Sequence, residues 1–226
     1  MDRPRPSSEG VFNTVDGPSG AGKSTAVANV MRLLIEDGVD VHTTSEPSAG
    51  PIGRLARALT DTVTGPALAC LYAADRYLHL QTEIRPHLAT GELVLCDRYV
   101  PSGLVMQRLD SVDLEFLWQL NARADRPDLT IILTADPATI ATRLTTRGPH
   151  NRFQRSADSS RAEVDFYEDA RTLLDRAGYN VKVLDTTTLQ LVEVAVSIHQ
   201  AIKSLLCPTR VSRRSRIGGE PAAESA

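Results

Sequence analysis

Short apolar runs alternate along this chain with longer segments in which apolar residues recur every three or four positions. The runs that predict β-strands cover 11–15, 39–44, 93–96, 129–134 and 180–185. The periodic segments predict helices over 26–35, 51–59, 67–88, 113–124, 137–146, 160–177 and 189–206. Strands and helices that alternate in this way predict a three-layer α/β/α sandwich around a doubly wound parallel sheet of about five strands.

Composition favours one folded domain with unstructured ends. The chain has 226 residues, of which 42% are hydrophobic, and this is enough for a single substantial core. We expect the domain to cover 11–206, because 1–10 and 207–226 lack apolar periodicity and are predicted to be disordered. A net charge of −3 and a pI of about 6.0 argue against a nucleic acid polymer as partner, since that usually requires a basic surface.

The cysteines and the amino-terminal residues indicate in which cellular compartment the protein is expected. Cys70, Cys96 and Cys207 are odd in number and widely spaced, which argues against a disulfide framework or a zinc site. The first residues lack the apolar core of a secretory signal, and no apolar run reaches membrane-spanning length. These features predict a soluble cytoplasmic protein without membrane association.

The segment between the first predicted strand and the first predicted helix fits the phosphate-binding pattern G-x-x-x-x-G-K-[ST]. Its glycines let successive backbone N–H groups converge on phosphate oxygens, and the following helix directs the positive end of its dipole to the same place. A glycine-rich turn that only caps the helix is the alternative. Lys23 is suited to reach the β and γ phosphates, and the Ser24 hydroxyl to coordinate Mg²⁺. The residues expected to bind the donor phosphates are Gly17, Pro18, Ser19, Gly20, Ala21, Gly22, Lys23, Ser24 and Thr25.

Two further strands deliver polar residues to the sheet edge at which parallel α/β proteins bind ligands. Glu46 follows the second predicted strand, and Asp97 and Arg98 follow the third. An acidic residue at the tip of an apolar strand is suited to hold Mg²⁺ near nucleotide phosphates, and an arginine beside it can bind an acceptor phosphate through two N–H groups. The alternative for Asp97 is a residue that simply ends a strand in a turn.

Two other groups of polar residues are candidates for nucleotide contacts. Tyr72 and Arg76 lie four residues apart on one face of the third predicted helix, where they either bind a nucleobase or form an exposed pair. Arg147 and Arg152 belong to an arginine-rich polar segment at about 147–160. This segment is either a solvated loop or a lid that closes over the transferring phosphoryl group and excludes water.

In combination, these segments resemble the thymidylate kinase family, nucleoside monophosphate kinases with a P-loop NTPase fold. The matches are 16–25 to the phosphate loop, 71–76 to the family's F-A-A-D-R helix, 97–102 to its D-R-Y-x-x-S signature and 147–153 to its arginine lid. The resemblance covers most of 11–206. Only the combination is specific, because the phosphate loop alone occurs in many kinds of enzyme.

The resemblance implies transfer of the γ-phosphoryl group of ATP to a pyrimidine deoxynucleoside monophosphate, dTMP to dTDP, with Mg²⁺ and in a homodimer. Tyr72 is then expected to stack on the base where the family usually has Phe, Arg76 to bind the base edge, and Tyr99 to pack beside the sugar. The expected catalytic residues are Lys23, Asp97, Arg98, Arg147 and Arg152, with Ser24 and Asp97 at the metal. The expected acceptor-binding residues are Glu46, Arg57, Tyr72, Arg76, Arg98, Tyr99 and Gln107.

Two departures from the family pattern leave the acceptor open. Where this chain has Ser19, relatives carry an acidic residue that helps recognise the acceptor's sugar hydroxyl, and the family's T-R-E-P-G-G-T segment differs at 44–50. Loss of a charge-assisted contact changes affinity by about 1.5 to 3 kcal/mol, which is enough to shift the preference among acceptors. The alternatives are a kinase for another or a modified pyrimidine monophosphate, such as dUMP, dCMP or CMP, and a non-catalytic ATP-binding module.

Overall fold

The computed structural model describes residues 10–148 and 157–206, which are built around a five-stranded parallel sheet. The strands are β1 (Phe12–Asp16), β2 (Val41–Ser45), β3 (Leu93–Asp97), β4 (Leu129–Thr134) and β5 (Val181–Asp185). Their order is β2-β3-β1-β4-β5. The predicted fold class is therefore confirmed. The connection that follows β1 leads toward β2, whereas the connection that follows β3 leads in the opposite direction along the sheet, to β4. Because these two connections diverge, a crevice opens where the neighbouring strands β1 and β3 end.

Helices cover both faces of the sheet. In the described ranges they are α1 (Lys23–Glu36), α2 (Pro51–Leu59), α3 (Gly65–His79), α4 (Arg85–Ala89), α5 (Val100–Met106), α6 (Leu114–Asn121), α7 (Pro137–Arg147), α8 (Ala157–Arg176) and α9 (Leu191–Leu206). A π-helical turn, Leu80–Ile84, joins α3 to α4, and a 3₁₀ turn, Arg108–Asp110, follows α5.

One apolar cluster lies on each face of the sheet. On one face, α1 and α9 pack on the strands through buried residues that include Val30, Leu34 and Ile198. On the other face, α5 and α8 contribute Leu104 and Leu174 to a cluster that also includes residues of the π turn and α6. Burial of each large aliphatic side chain contributes about 1.5 to 3 kcal/mol, so these clusters hold the strand ends in fixed positions.

The observed helices differ from the predicted ones between β2 and β4. The single helix predicted over 67–88 is divided into α3 and α4 by the π turn. Helix α5 is not predicted, because 100–106 contains Pro and Gly and shows no helical apolar period. Its start is instead fixed by a residue distant in sequence: the Asp16 carboxylate accepts hydrogen bonds from the Tyr99 and Ser102 backbone N–H groups, each at 3.0 Å.

Several predicted features fall outside the described residues. These are the two ends predicted as disordered, except Gly10, and most of the predicted lid, including Arg152; of Arg147, only the backbone is described. Among the residues that are described, no helix is both long enough and apolar enough to cross a membrane.

Candidate active site

Most of the predicted site residues gather at the carboxyl ends of β1, β2 and β3. A cleft of about 510 Å³, including its open mouth, lies at this edge of the sheet. It is lined by Glu46, Pro47, Tyr72, Arg76, Arg98, Tyr99, Ser102, Gly103, Met106 and Gln107. All of the predicted acceptor residues except Arg57 therefore line one cleft, and the phosphate loop leaves β1 beside it.

The phosphate loop has a backbone that requires glycine. Gly17 has φ of 139°, and a Cβ at this position would lie 2.2 Å from the carbonyl oxygen of Leu133. Gly20 and Gly22 also have positive φ, at 86° and 94°. These turns lead into α1 at Lys23, so the free N–H groups of the helix amino terminus face the loop. Such a set of N–H groups is suited to bind phosphate.

Lys23 is the first residue of α1, and its side chain contacts the phosphate loop. Its side chain is buried, and Nζ donates hydrogen bonds to the carbonyl oxygens of Gly17 and Pro18, each at 2.8 Å. Burial and the nearby charge of Arg98 lower the pKa of Lys23 to about 7, although the charge of Glu163 opposes this shift. A bound phosphate adds negative charge and therefore favours the ammonium form.

Ser24 and Asp97 meet at a position that fits a divalent cation. Ser24 Oγ donates a hydrogen bond of 2.5 Å to Asp97 Oδ2, although the two residues are 73 positions apart in the chain. The other carboxylate oxygen, Asp97 Oδ1, is buried without a hydrogen-bond partner among the described residues. A hydroxyl and a carboxylate are the hard oxygen ligands that Mg²⁺ prefers.

Glu163 of α8 brings a carboxylate to the phosphate loop at Ser19. Glu163 Oε1 accepts hydrogen bonds from the Ser19 backbone N–H at 2.9 Å and from the Ser19 hydroxyl at 3.3 Å. Both residues are only 1% exposed. The negative charge of Glu163 also acts on the cations of Lys23 and Arg98. One buried carboxylate thus lies against the phosphate loop, and its charge acts on Arg98 in the cleft wall.

Asp16 and Ser102 join β1, α5 and α8 below the cleft. Ser102 Oγ donates to Asp16 Oδ1 at 2.8 Å and lies 3.0 Å from the hydroxyl oxygen of Tyr167 in α8. Burial raises the pKa of Asp16, and its hydrogen bonds with Tyr99 and Ser102 only partly offset this effect. The Ser of the D-R-Y-x-x-S signature therefore has a clear structural role in this chain.

Arg98 and Tyr99 follow β3 but differ in their surroundings. Arg98 has φ of 74°, which is uncommon for a residue other than glycine, and its Nη1 lies 3.4 Å from Ser102 Oγ. Tyr99 is fully buried, and its ring packs edge-on against Phe12 with centroids 5.1 Å apart. Its hydroxyl donates to the carbonyl oxygen of Asp125 at 2.9 Å. Tyr99 thus lies at the wall of the cleft, but its ring and its hydroxyl both make contacts within the protein.

Arg76 is held rigidly at the wall of the cleft. Its Nε and Nη2 lie 2.8 and 2.7 Å from Glu46 Oε2, and Nη2 also donates to the carbonyl oxygen of Tyr99 at 3.0 Å. Its Nη1 donates to Asn121 Oδ1. A guanidinium has five N–H donors, so one on Nη1 is without a partner among the described residues. Gly103 makes room for this group, because a Cβ there would lie 3.2 Å from Nη1.

Buried carboxylates hold the segment that follows β2. Asp75 accepts hydrogen bonds from the Ser48 backbone N–H and hydroxyl, both at 2.6 Å. Glu46 Oε1 lies 3.5 Å from His79 Nδ1, and its Oε2 binds Arg76. Both oxygens of Glu46, predicted as an acceptor residue, thus contact protein groups. These are the contacts of a residue that positions Arg76.

The remaining predicted acceptor residues have distinct locations. Tyr72 lines the cleft, and its hydroxyl oxygen lies 2.8 Å from Thr60 Oγ1. Gln107 is buried at the end of α5 and also lines the cleft. Arg57 donates to the carbonyl oxygens of Ser48 and Pro47, so it braces the segment after β2.

Glu163 is not among the predicted site residues, although the sequence carries a weak signal for it. Glu163 lies on the same helical face as Tyr167, Ala170 and Leu174, all of which are buried. A carboxylate on the apolar face of an amphipathic helix needs a buried partner, but the sequence does not identify Ser19, 144 positions away, as that partner. Two other buried site residues that it missed are Asp16 and Asn121.

Comparison with known proteins gives matches to one enzyme family. The family model described as thymidylate kinase matches residues 15–198. A probable thymidylate kinase from Caldivirga maquilingensis is 37% identical over 161 residues, covering 70% of this chain and 78% of that protein. Another from Pyrobaculum calidifontis is 40% identical over 147 residues, covering 64% and 74%.

A solved structure agrees at the level of the fold. The thymidylate kinase from Candida albicans superposes with a TM-score of 0.72, at 19% sequence identity, and the match covers 88% of this chain and 93% of that one. The five-stranded parallel sheet and its flanking helices are therefore shared with that enzyme. With the family model matching most of its length, this chain belongs to the thymidylate kinase family.

Proposed function

We propose that this protein transfers the γ-phosphoryl group of ATP to a pyrimidine deoxynucleoside monophosphate, converting dTMP to dTDP. The observation that carries this proposal is that a phosphate loop with a buried lysine lies beside a cleft lined by Tyr72, Arg76 and Arg98. The relatives named as thymidylate kinases support dTMP as the acceptor. Donor and acceptor phosphates meet where β1 and β3 end.

On the donor side, the chain's own residues bind and neutralise the phosphates. The loop N–H groups and Lys23 hold the β and γ phosphates, and Ser24 and Asp97 hold Mg²⁺. A Mg²⁺ ion held there would supply positive charge that offsets the charge of the phosphates. The lid arginines Arg147 and Arg152 are proposed to add positive charge over the transferred group and to exclude water.

The transfer itself requires no protein nucleophile or strong base. An oxygen of the acceptor phosphate attacks the γ phosphorus, the bond from that phosphorus to the β–γ bridging oxygen breaks, and ADP leaves. Alignment and charge neutralisation supply the catalysis. Arg98 contributes by binding the acceptor phosphate through its guanidinium.

On the acceptor side, the rigidity of Arg76 discriminates between bases. Tyr72 stacks on the ring, and the remaining N–H of Arg76 donates a hydrogen bond to the base edge. Thymine and uracil present a carbonyl oxygen at C4, whereas cytosine presents an amino group there. Since a guanidinium cannot accept a hydrogen bond, the site favours dTMP over dCMP. The amide of Gln107 and the guanidinium of Arg57 give weaker support, to the base and to the acceptor phosphate.

Glu163 is proposed to replace the carboxylate that relatives carry in the phosphate loop. The loop residue here is Ser19, which is neutral, yet a carboxylate oxygen lies 2.9 Å from its backbone nitrogen. A charge-assisted hydrogen bond from the acceptor's sugar hydroxyl to this carboxylate contributes about 1.5 to 3 kcal/mol. Helix α8 thus takes part in acceptor recognition.

An acceptor panel tests the proposed function. Release of ADP is followed with dTMP, dUMP, dCMP, CMP and UMP, and we expect the highest kcat/KM for dTMP and a low value for dCMP. Lys23→Ala should lose turnover with every acceptor, whereas Lys203→Ala, on an exposed lysine of α9, should retain it. Tight ATP binding without turnover on any acceptor would identify a non-catalytic module. Preference for a cytosine nucleotide would contradict the role of Arg76.

The assembly and location are further proposals. We propose a homodimer, as the family resemblance implies, and light scattering in solution that returned the mass of one chain would contradict it. The free thiols of Cys70 and Cys96 support a reducing cytoplasmic location. The net charge of −3 supports nucleotides, not nucleic acid polymers, as partners.

A further inference from the structure

Two histidines and a glutamate form a cluster outside the cleft. His42 lies in β2, His87 in α4, and Glu92 directly before β3. The two imidazole rings stack with centroids 3.5 Å apart and planes inclined by 9°. One potential metal-ligand atom from each of the three residues lies within 4.8 Å of the other two. We refer to these residues as the histidine cluster.

The donor atoms are spaced closely enough for one metal ion. Zn²⁺ binds imidazole nitrogen and carboxylate oxygen at about 2.0 to 2.2 Å in tetrahedral sites, so neighbouring ligand atoms lie roughly 3.3 Å apart. His87 Nδ1 and Glu92 Oε1 are 3.0 Å apart. Because the two rings are stacked and nearly parallel, one imidazole has to turn out of the stack for both histidines to direct a ring nitrogen at the same ion. Two histidines and a carboxylate also leave a fourth position for water.

The residues around the cluster orient its ligands. His42 Nε2 lies 3.0 Å from Glu83 Oε1, and Thr90 Oγ1 donates to Glu92 Oε1 at 2.9 Å. Histidines that bind metals commonly donate their other ring N–H to a carboxylate, which fixes the tautomer. Donation from Nε2 to Glu83 leaves the lone pair of His42 Nδ1 for a metal ion.

The cluster is open to solvent and separate from the active site. The side chains of His42, His87 and Glu92 are 24%, 34% and 31% exposed. His42 lies three residues before Ser45, roughly 10 Å along β2 from the edge that carries the cleft. The carboxylates of Glu83 and Glu92 supply negative charge that favours a divalent cation.

We propose that the histidine cluster binds a divalent transition-metal ion of the Zn²⁺ class. Imidazole nitrogens favour Zn²⁺ and Ni²⁺, whereas Mg²⁺ prefers oxygen ligands, so this site and the Mg²⁺ site select different ions. A bound ion connects β2, α4 and the start of β3. It takes no part in the proposed phosphoryl transfer.

Metal titration of the untagged full-length protein tests this proposal. Calorimetry with Zn²⁺ at about pH 8, where free imidazole is neutral, should show one ion bound in the absence of nucleotide and Mg²⁺. Co²⁺ should give a visible absorption band of tetrahedral N/O coordination. His42→Ala and His87→Ala should each weaken Zn²⁺ binding at least about 10-fold, and Glu83→Gln about 10- to 100-fold through the orientation of His42. His199→Ala, on a histidine of α9 that pairs with Asp37, is the control that should bind as the wild type does.

Two results would overturn the proposal. One is the absence of saturable binding by the wild type up to about 1 mM Zn²⁺, the weak limit of biological divalent-cation sites. The other is undiminished binding by the histidine variants, which would place the ion elsewhere. Thermal unfolding without metal shows whether each variant is folded. If one histidine variant is not folded, Zn²⁺ binding by the other histidine variant decides the test. Neither result bears on the acceptor panel, which tests the proposed function separately.

Discussion

Replacing Glu163 by alanine should remove the enzyme's preference for an acceptor that carries a sugar hydroxyl. The Glu163 carboxylate is 1% exposed and lies 2.9 Å from the Ser19 backbone nitrogen, so solvent cannot replace it without rearrangement. Loss of a charge-assisted hydrogen bond to the acceptor costs about 1.5 to 3 kcal/mol, which corresponds to a decrease of about 10- to 150-fold in kcat/KM. Loss of the hydrogen bond that the buried Ser19 N–H donates to Glu163 lowers folding stability by a further 1 to 3 kcal/mol or so.

A carboxylate can be restored at this position by a substitution of Ser19, the residue that Glu163 contacts. Ser19→Asp alone places two carboxylates within a few ångströms of each other in a buried site, so mutual repulsion should lower both activity and stability. Ser19→Asp combined with Glu163→Ala has a single carboxylate again, and we expect it to recover most of the lost kcat/KM. The coupling free energy between the two substitutions should therefore be large, and its sign should be opposite to that of the loss caused by each single substitution.

Steady-state kinetics with two acceptors measures this coupling. The wild type should prefer dTMP to 3′-deoxythymidine monophosphate, which lacks the hydroxyl, and Glu163→Ala should use both acceptors equally poorly. Glu168→Gln is a matched control, because Glu168 is an exposed carboxylate on the same helix that pairs with Arg171. Full retention of the hydroxyl preference in folded Glu163→Ala, or additive losses in the double variant, would refute the proposed role of Glu163.

Three further substitutions test the electrostatics of the site. Lys23→Met should abolish transfer but raise the free energy of unfolding below about pH 7, because burial lowers the pKa of Lys23 to about 7. This gain in unfolding free energy should shrink between about pH 7 and 10.5, where Lys23 of the folded wild type has already lost its proton. Urea unfolding at a series of pH values measures the gain, and a gain that does not depend on pH would contradict the lowered pKa of Lys23. His79→Gln should remove a stabilisation of the folded state that depends on a protonated imidazole. Burial lowers the pKa of His79, but the hydrogen bond and charge of Glu46, together with the charges of Glu83 and Asp75, raise it above 6.5. The wild type therefore loses this stabilisation as the pH rises through the folded-state pKa. Equal pH dependence in both proteins would count against that pairing. Arg76→Lys should lose about 1 to 3 kcal/mol of stability and at least 10-fold in kcat/KM for dTMP, because lysine cannot reproduce the two-pronged contact with Glu46; unchanged kinetics would exclude Arg76 from base recognition.

The fold could be predicted from the sequence because its determinants are local. Most strands are short runs rich in apolar residues, although β2 is mostly polar, and most helices show a regular apolar period, as in α1 and α9. Helix α5 escaped prediction because a tertiary contact, from Asp16 to the Tyr99 and Ser102 backbone N–H groups, determines where it begins. The π turn between α3 and α4 also escaped prediction, because the apolar period over 67–88 predicts one continuous helix there.

The site residues that follow the carboxyl end of a strand could be predicted from the sequence. Lys23, Asp97 and Arg98 follow apolar strands, and parallel topology brings such residues to one edge. Arg76 was predicted without its partners, because the contacts to Glu46 and Asn121 join three separate segments. Glu163 could not be assigned to Ser19 for the same reason, since only tertiary packing places α8 against the loop.

Transfer of labelled phosphate from γ-labelled ATP to dTMP is the most direct test of the proposed reaction. With purified protein and Mg²⁺, the label should appear in dTDP in amounts that match the ADP formed, and Lys23→Ala should form neither product. Label that stays in ATP, or that is released as inorganic phosphate while dTMP remains unmodified, would show that this phosphate loop does not serve phosphoryl transfer to dTMP.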